Sequence, residues 1–143
     1  MGKIVAIGGG DLRTLETLAI DKEVVLLSGK VRPRALFIPT ASSDSHEYWE
    51  AFDSAYGNNL GCKTDVLYLL GARPDKEELE EKVLESDIIY VGGGNTLKMM
   101  RRWRLLQVEA RSLPTSTSFT VSGVWTACYR RATYSSWPPP KRI

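Results

Sequence analysis

Acidic residues vanish from the last quarter of this 143-residue chain: all 17 Asp and Glu lie in residues 1–109, and residues 110–143 hold five Lys or Arg and no acid. Histidine is represented once, by His46, and the two cysteines, Cys62 and Cys128, lack the paired spacing of a zinc site. No metal and no cofactor are expected on that basis, and the thiols read as ordinary reduced ones. No apolar run approaches the roughly 18 to 20 residues that cross a bilayer, and Met1-Gly-Lys3 leads straight into a strand-like run instead of a signal peptide. A collagen, a coiled coil and a membrane protein are thereby excluded, and the expected location is cytoplasmic.

What is present is a chain 43% hydrophobic and 25% charged, the composition of one globular domain. The formal charge of +2 hides a division. Residues 1–109 carry 14 basic against 17 acidic side chains, a net of −3, whereas residues 110–143 carry a net of +5. That basic stretch also holds 11 Ser or Thr and four of the seven prolines, and it ends in Trp137-Pro-Pro-Pro-Lys-Arg-Ile143. Its five charges are scattered without a stripe, so neither nucleic acid nor an acidic membrane is the expected partner.

The first 109 residues alternate short β-branched runs with amphipathic segments, the pattern of a parallel sheet covered by helices on both faces. Lys3–Ile7, Arg34–Ile38, Thr64–Leu70 and Ile88–Val91 read as strands. Between them a helix is predicted from Asp21, as cap, to Ser28 with Gly29 behind it. A second opens on Asp44 with Glu47 three residues on and ends near Gly57 to Gly61; a third opens on Asp75 with Glu78. After the fourth strand, Leu97, Met100 and Trp103 mark the buried face of a last helix. In such a sheet the C-terminal strand ends share one edge, where Gly8–Asp11, Pro39–Asp44, Leu70–Arg73 and Gly92–Thr96 should converge.

Gly8-Gly-Gly10 follows a strand, but Arg13 stands where a dinucleotide fingerprint needs its third glycine. Gly92-Gly-Gly-Asn-Thr96 lacks the Gly-Lys-Ser/Thr ending of a phosphate loop. It reads better as an oxyanion site. Three glycines between a buried strand and a helix leave N–H groups unobstructed, and Asn95 or Thr96 can cap a helix whose dipole points the same way. A plain strand-to-helix turn is compatible with the same residues.

Ala35-Leu-Phe-Ile-Pro39, Glu47-Tyr48, Leu60-Gly-Cys-Lys-Thr-Asp-Val66 and above all Ile88-Ile-Tyr-Val-Gly-Gly-Gly-Asn-Thr-Leu97 resemble peptidase E, the aspartyl dipeptidase family of serine peptidases related in fold to class I glutamine amidotransferases. The resemblance runs over about residues 1–108. It implies a three-layer flavodoxin-like α/β fold, here truncated, and hydrolysis of short peptides with an N-terminal Asp. Gly94 inherits the role of an oxyanion N–H, with Asn95 and Thr96 beside it, and the implied partner is a short acidic peptide.

The rest of the chain departs from that pattern. A family member carries its nucleophile in a G-x-S-A-G elbow. The corresponding stretch here is Ser118–Ala127, where Gly123 falls on the first elbow glycine and Trp125 on the nucleophile. Tryptophan cannot attack a carbonyl. Thr126 would need a one-residue slip and Ser122 precedes the elbow. The base is missing too, since His46 lies upstream and reads as a surface histidine, and no acid follows residue 109. With suitable codons Val124-Trp-Thr126 read one base later becomes Ser-Gly-Leu, so the expectation is a tail altered in frame and an inactive chain. A non-catalytic module that binds an acidic peptide or anion is the alternative function. A fifth strand at 118–124 and pairing with a second copy through the shortened sheet complete the expectations.

Overall fold

Arg34-Ala-Leu-Phe-Ile38 is apolar at every position after the arginine, and such a strand has to be covered on both faces. It forms β2 (Arg34–Ile38), with Ala35, Leu36, Phe37 and Ile38 all buried. In this computed structural model, which describes residues 3–71, 74–106 and 126–129, β3 (Lys63–Val66) and β4 (Ile88–Val91) flank β2 and run parallel to it. With β1 (Ile4–Ile7) and β5 (Thr126–Tyr129) the sheet has the order β1-β5-β4-β2-β3.

Side chains alternate across a strand, and the two resulting faces have separate cores. Ala35, Phe37, Ile88 and Tyr90 join Val24 of α1 (Leu18–Ser28) and Phe52 of α2 (His46–Phe52) on one face. On the other, Leu36 and Ile38 meet Leu79 and Val83 of α3 (Lys76–Glu85) and Met99 and Trp103 of α4 (Thr96–Leu106). The first face is filled by rings: Phe52 stacks on Phe37 at 4.9 Å and on Tyr56 at 4.5 Å between centroids, with Tyr90 tilted against both phenylalanines. Burial of aromatic area on this scale dominates core energetics.

Several boundaries differ from expectation. α1 begins at Leu18, so Asp21 is no cap but lies inside the helix, fully buried. Its carboxylate accepts from Thr17 Oγ1 and Tyr56 Oη, each at 2.8 Å. Gly29 ends the helix at φ +70° as predicted. Ser45, not Asp44, holds the N-cap position of α2, without a side-chain cap bond, and Glu47, the other half of the expected capping box, accepts from Arg13 at 2.7 Å instead. Asp44 adopts φ +56°, a region Asp tolerates better than most residues, and turns its carboxylate to the amides of Leu69 and Leu70 at 2.8 and 2.5 Å. That bond explains why β3 stops at Val66 although Leu67 and Leu69 keep the apolar alternation: a side chain supplies the acceptor a neighbouring strand would have supplied. α2 gives way to a π-helix, Asp53–Asn59, before the turn at Gly61.

α3 and β4 fall where predicted, with Asp75 Oδ1 receiving the Glu78 N–H at 2.8 Å. In α4 the buried pair is Met99 and Trp103, four apart; Met100 packs only partly and Leu97 is 77% exposed. A helical stripe advances by three or four residues, and here the four-residue step wins. The proposed strand at 118–124 lies outside the described residues. β5 enters antiparallel to both β1 and β4, with Thr126 opposite Ile7 and Ala127 opposite Val91. Four residues of strand carry no signal of direction, so its polarity could not be read beforehand.

Candidate functional site

Because β1, β2, β3 and β4 point the same way, their C-terminal ends share an edge, and the loops that follow are tied to one another. The link between the second and fourth loops is the tightest. Gly92 N–H donates to Ile38 O at 3.2 Å and Asn95 N–H to Ala41 O at 2.7 Å, so the glycine turn leans on the turn Thr40–Ser42. Gly94 has φ +140°, and a Cβ there would lie 2.3 Å from Ala41 O and 3.0 Å from Ser42 N. Only glycine permits both that conformation and that approach.

The amides of Gly92-Gly-Gly-Asn95 thus divide. Gly92 and Asn95 are spent on the turn, whereas among the described residues none accepts from Gly93 or Gly94 N–H, and Gly94 is exposed. Asn95 works twice for local structure, since its Oδ1 also caps α4 by accepting from Lys98 N–H at 2.9 Å. Thr96 is the first residue of the helix. Lys98 and Ser43, which sequence reasoning passed over, also meet at this rim: Lys98 Nζ lies 3.0 Å from Ser43 Oγ. The run Thr40-Ala-Ser-Ser-Asp44 between a strand and a helix was the available signal. The same turn is anchored from behind by Trp103 Nε1, which donates to the buried Thr40 Oγ1 at 3.3 Å.

The remaining loops brace this edge. Arg13, after β1, forks onto Asp11 and Glu47 and lies over the Tyr48 ring at 5.2 Å. The guanidinium holds the Asp11 carboxyl below its ordinary range. Tyr68 is shifted upward by burial and by the charges of Asp44 and Glu50. Cys62, buried beneath the sheet's first face, is pushed up to about 11 by loss of solvent, which keeps it an inert thiol. His46 sits on the exposed start of α2 with Nδ1 3.5 Å from Glu50 Oε1. Thr126 opens β5 at the level of Ile7, beside the C-terminal end of β4, while Trp125 and Ser122 lie outside the described residues. No group of three or more His, Cys, Asp or Glu among the described residues is arranged to hold a metal ion.

The profile of peptidase family S51 matches residues 4–111, which takes in all four parallel strands and the glycine turn. The chain belongs to peptidase family S51. A curated relative, the uncharacterized peptidase YgaJ of Bacillus subtilis (strain 168), is 37% identical over 105 residues, covering 73% of this chain and 44% of that protein. A solved structure from Listeria monocytogenes EGD-e, described as a peptidase E protein, superposes with a TM-score of 0.60 at 22% identity, over 78% of this chain and 52% of its own. The S51 chain therefore has the three-layer, flavodoxin-like α/β architecture and spans about half the length of the relatives it matches. Family membership marks it as peptidase-related, and the end of the match at residue 111 coincides with the change in composition after residue 109.

Proposed function

We propose that this S51 chain carries the oxyanion and peptide-binding part of a serine-type peptidase site, of the class that hydrolyses short peptides beginning with Asp, and that it does not turn substrate over. The observation that carries the reading is Gly94: exposed, at φ +140°, held against Ala41, with an N–H that no described residue accepts. A fixed amide of this kind stabilises charge that develops on a carbonyl oxygen without reorganising at the moment of reaction. The inactivity follows from composition. Trp125 occupies the expected nucleophile position, His46 precedes it, and residues 110–143 contain no acid to complete a triad. The proposed setting is the cytoplasm.

Two measurements test this. Incubation with Asp-initiated dipeptides should give no free aspartate, and turnover that Thr126→Ala abolishes would overturn the inactivity. Calorimetric titration should give binding without hydrolysis, as expected of an acidic-peptide-binding module; no heat at millimolar peptide sinks the site reading altogether.

A further inference from the structure

We propose that the outer face of α3 and α4 is an interface with a second copy of this chain, in which α3 of each protomer packs on α4 of the other. Both helices cover the same sheet face and share one core through Leu79, Val83, Met99 and Trp103. Their charges are opposite. α3 carries five Glu against two Lys, a net of −3, whereas α4 carries one Lys and three Arg with no acid, a net of +4. Part of the acidic charge is taken up within the chain, where Lys76 pairs with Glu80, Lys82 with Glu78 and Arg34 with Glu85. Among the described residues no cation pairs with Glu77 or Glu81 and no carboxylate with Arg101 or Arg104, and all four are exposed.

These groups form one row on each helix. Residues three, four, seven and eight apart share a helical face, which puts Glu77, Glu81 and Leu84 together on α3 and Leu97, Arg101, Arg104 and Leu105 together on α4, opposite the buried Met99 and Trp103. Leu84, Leu97 and Leu105 are 46, 77 and 76% exposed, so each row carries apolar surface beside its charge. A two-fold axis between the helices lays α3 of one copy over α4 of the other and repeats the contact in reverse. The acidic row then meets the basic row twice, and Leu84 approaches Leu97 and Leu105. A foreign basic protein would suit α3 alone and an acidic one α4 alone. A partner that satisfies the whole face must carry both rows side by side, and this chain does.

Sedimentation equilibrium of the full chain tests this pairing. Two helices of 10 and 11 residues give a patch at the small end of specific interfaces, so the wild type should dimerise with a Kd on the order of tens of micromolar at low salt. Association should weaken about tenfold between about 0.01 and 1 M salt, where the screening length falls from roughly 30 to 3 Å. Arg101→Glu with Arg104→Glu, and separately Glu77→Arg with Glu81→Arg, should each leave a monomer, because each variant presents like charge at both contacts. Mixed in equal amounts, the two variants should associate again, since every acidic row then faces a basic one. Circular dichroism establishes that each is folded, and Arg104→Glu with Glu81→Arg as single changes repeats the comparison should a double variant unfold. A wild type that stays monomeric at low salt overturns the inference and leaves the two rows to separate partners. A dimer that survives both charge reversals overturns it by placing the contact elsewhere, and a mixture that remains monomeric overturns the pairing of α3 with α4.

Discussion

Replacing Gly94 by alanine puts the geometry of the glycine turn to a quantitative test. At φ +140° an L residue is strained whatever the space around it, at a cost of about 1–3 kcal/mol. The added Cβ would also stand 2.3 Å from Ala41 O, a backbone atom that cannot rotate away, so the turn must move and the 2.7 Å bond from Asn95 N–H to Ala41 O is lost. That bond contributes roughly a further 1 kcal/mol. Together the substitution should cost about 2–4 kcal/mol, or a fall in Tm on the order of 8–16 °C for a domain of this size. Gly9→Ala is the control. Gly9 has φ +123° but nothing within 4 Å of its added Cβ, so it suffers the conformational strain alone. Thermal unfolding followed by circular dichroism should place Gly94→Ala several degrees below Gly9→Ala. Equal Tm values would mean that the turn does not rest on Ala41 and would refute the packing on which the Gly94 amide depends.

Asp21 makes the core sensitive to pH. Burial raises its folded-state pKa despite the bonds from Thr17 and Tyr56, so the folded protein binds this proton more tightly than the unfolded chain, whose Asp titrates near about 3.9. Its contribution is therefore most favourable at low pH and declines as pH rises from that value through the folded pKa. Urea unfolding at a series of pH values should show Asp21→Asn gaining on the wild type as pH increases; a constant difference would refute the assignment. Asp44→Ala removes the charged acceptor from Leu69 and Leu70 N–H and should cost about 1–3 kcal/mol in the same assay, with Asp44→Asn less damaging. Asn95→Ala should cost about 0.5–2 kcal/mol through the lost helix cap while leaving peptide binding in place. A folded Asn95→Ala protein that no longer binds peptide would move Asn95 from the turn into the ligand contacts.

The parts of the fold legible in the sequence are those set by local rules. Arg34–Ile38 and Ile88–Val91 appear as strands at those bounds because continuous apolar runs closed by Pro39 or Gly92 have few alternatives. Asp75 and Gly29 cap helices because their conformations are decided by neighbours in sequence. Asp21 and Asp44 were misread for the opposite reason. Each looks like a helix cap locally, but each finds its partner far along the chain, in Tyr56 or in Leu69 and Leu70, and a spacing pattern cannot register a bond formed by tertiary packing. Ser43 and Lys98 escaped notice likewise: 55 residues separate them, and only the lean of one turn on another brings them together.

The glycine turn and the proposed oxyanion site are not competing explanations of Gly92–Thr96. A turn of this sharpness needs some of its amides for itself, and a binding site needs others left over. Here the division runs residue by residue: Gly92 N–H goes to Ile38 O and Asn95 N–H to Ala41 O, while those of Gly93 and Gly94 have no described acceptor. The bond from Asn95 fixes the position of the Gly94 amide, and the close approach of Ala41 is what restricts residue 94 to glycine. On the proposed reading Asn95 therefore belongs to the scaffold and Gly94 to the site, although they are adjacent. The same contact that makes the turn rigid makes its unspent amides preorganised, which is the property an oxyanion donor requires and which a looser turn of the same composition would lack.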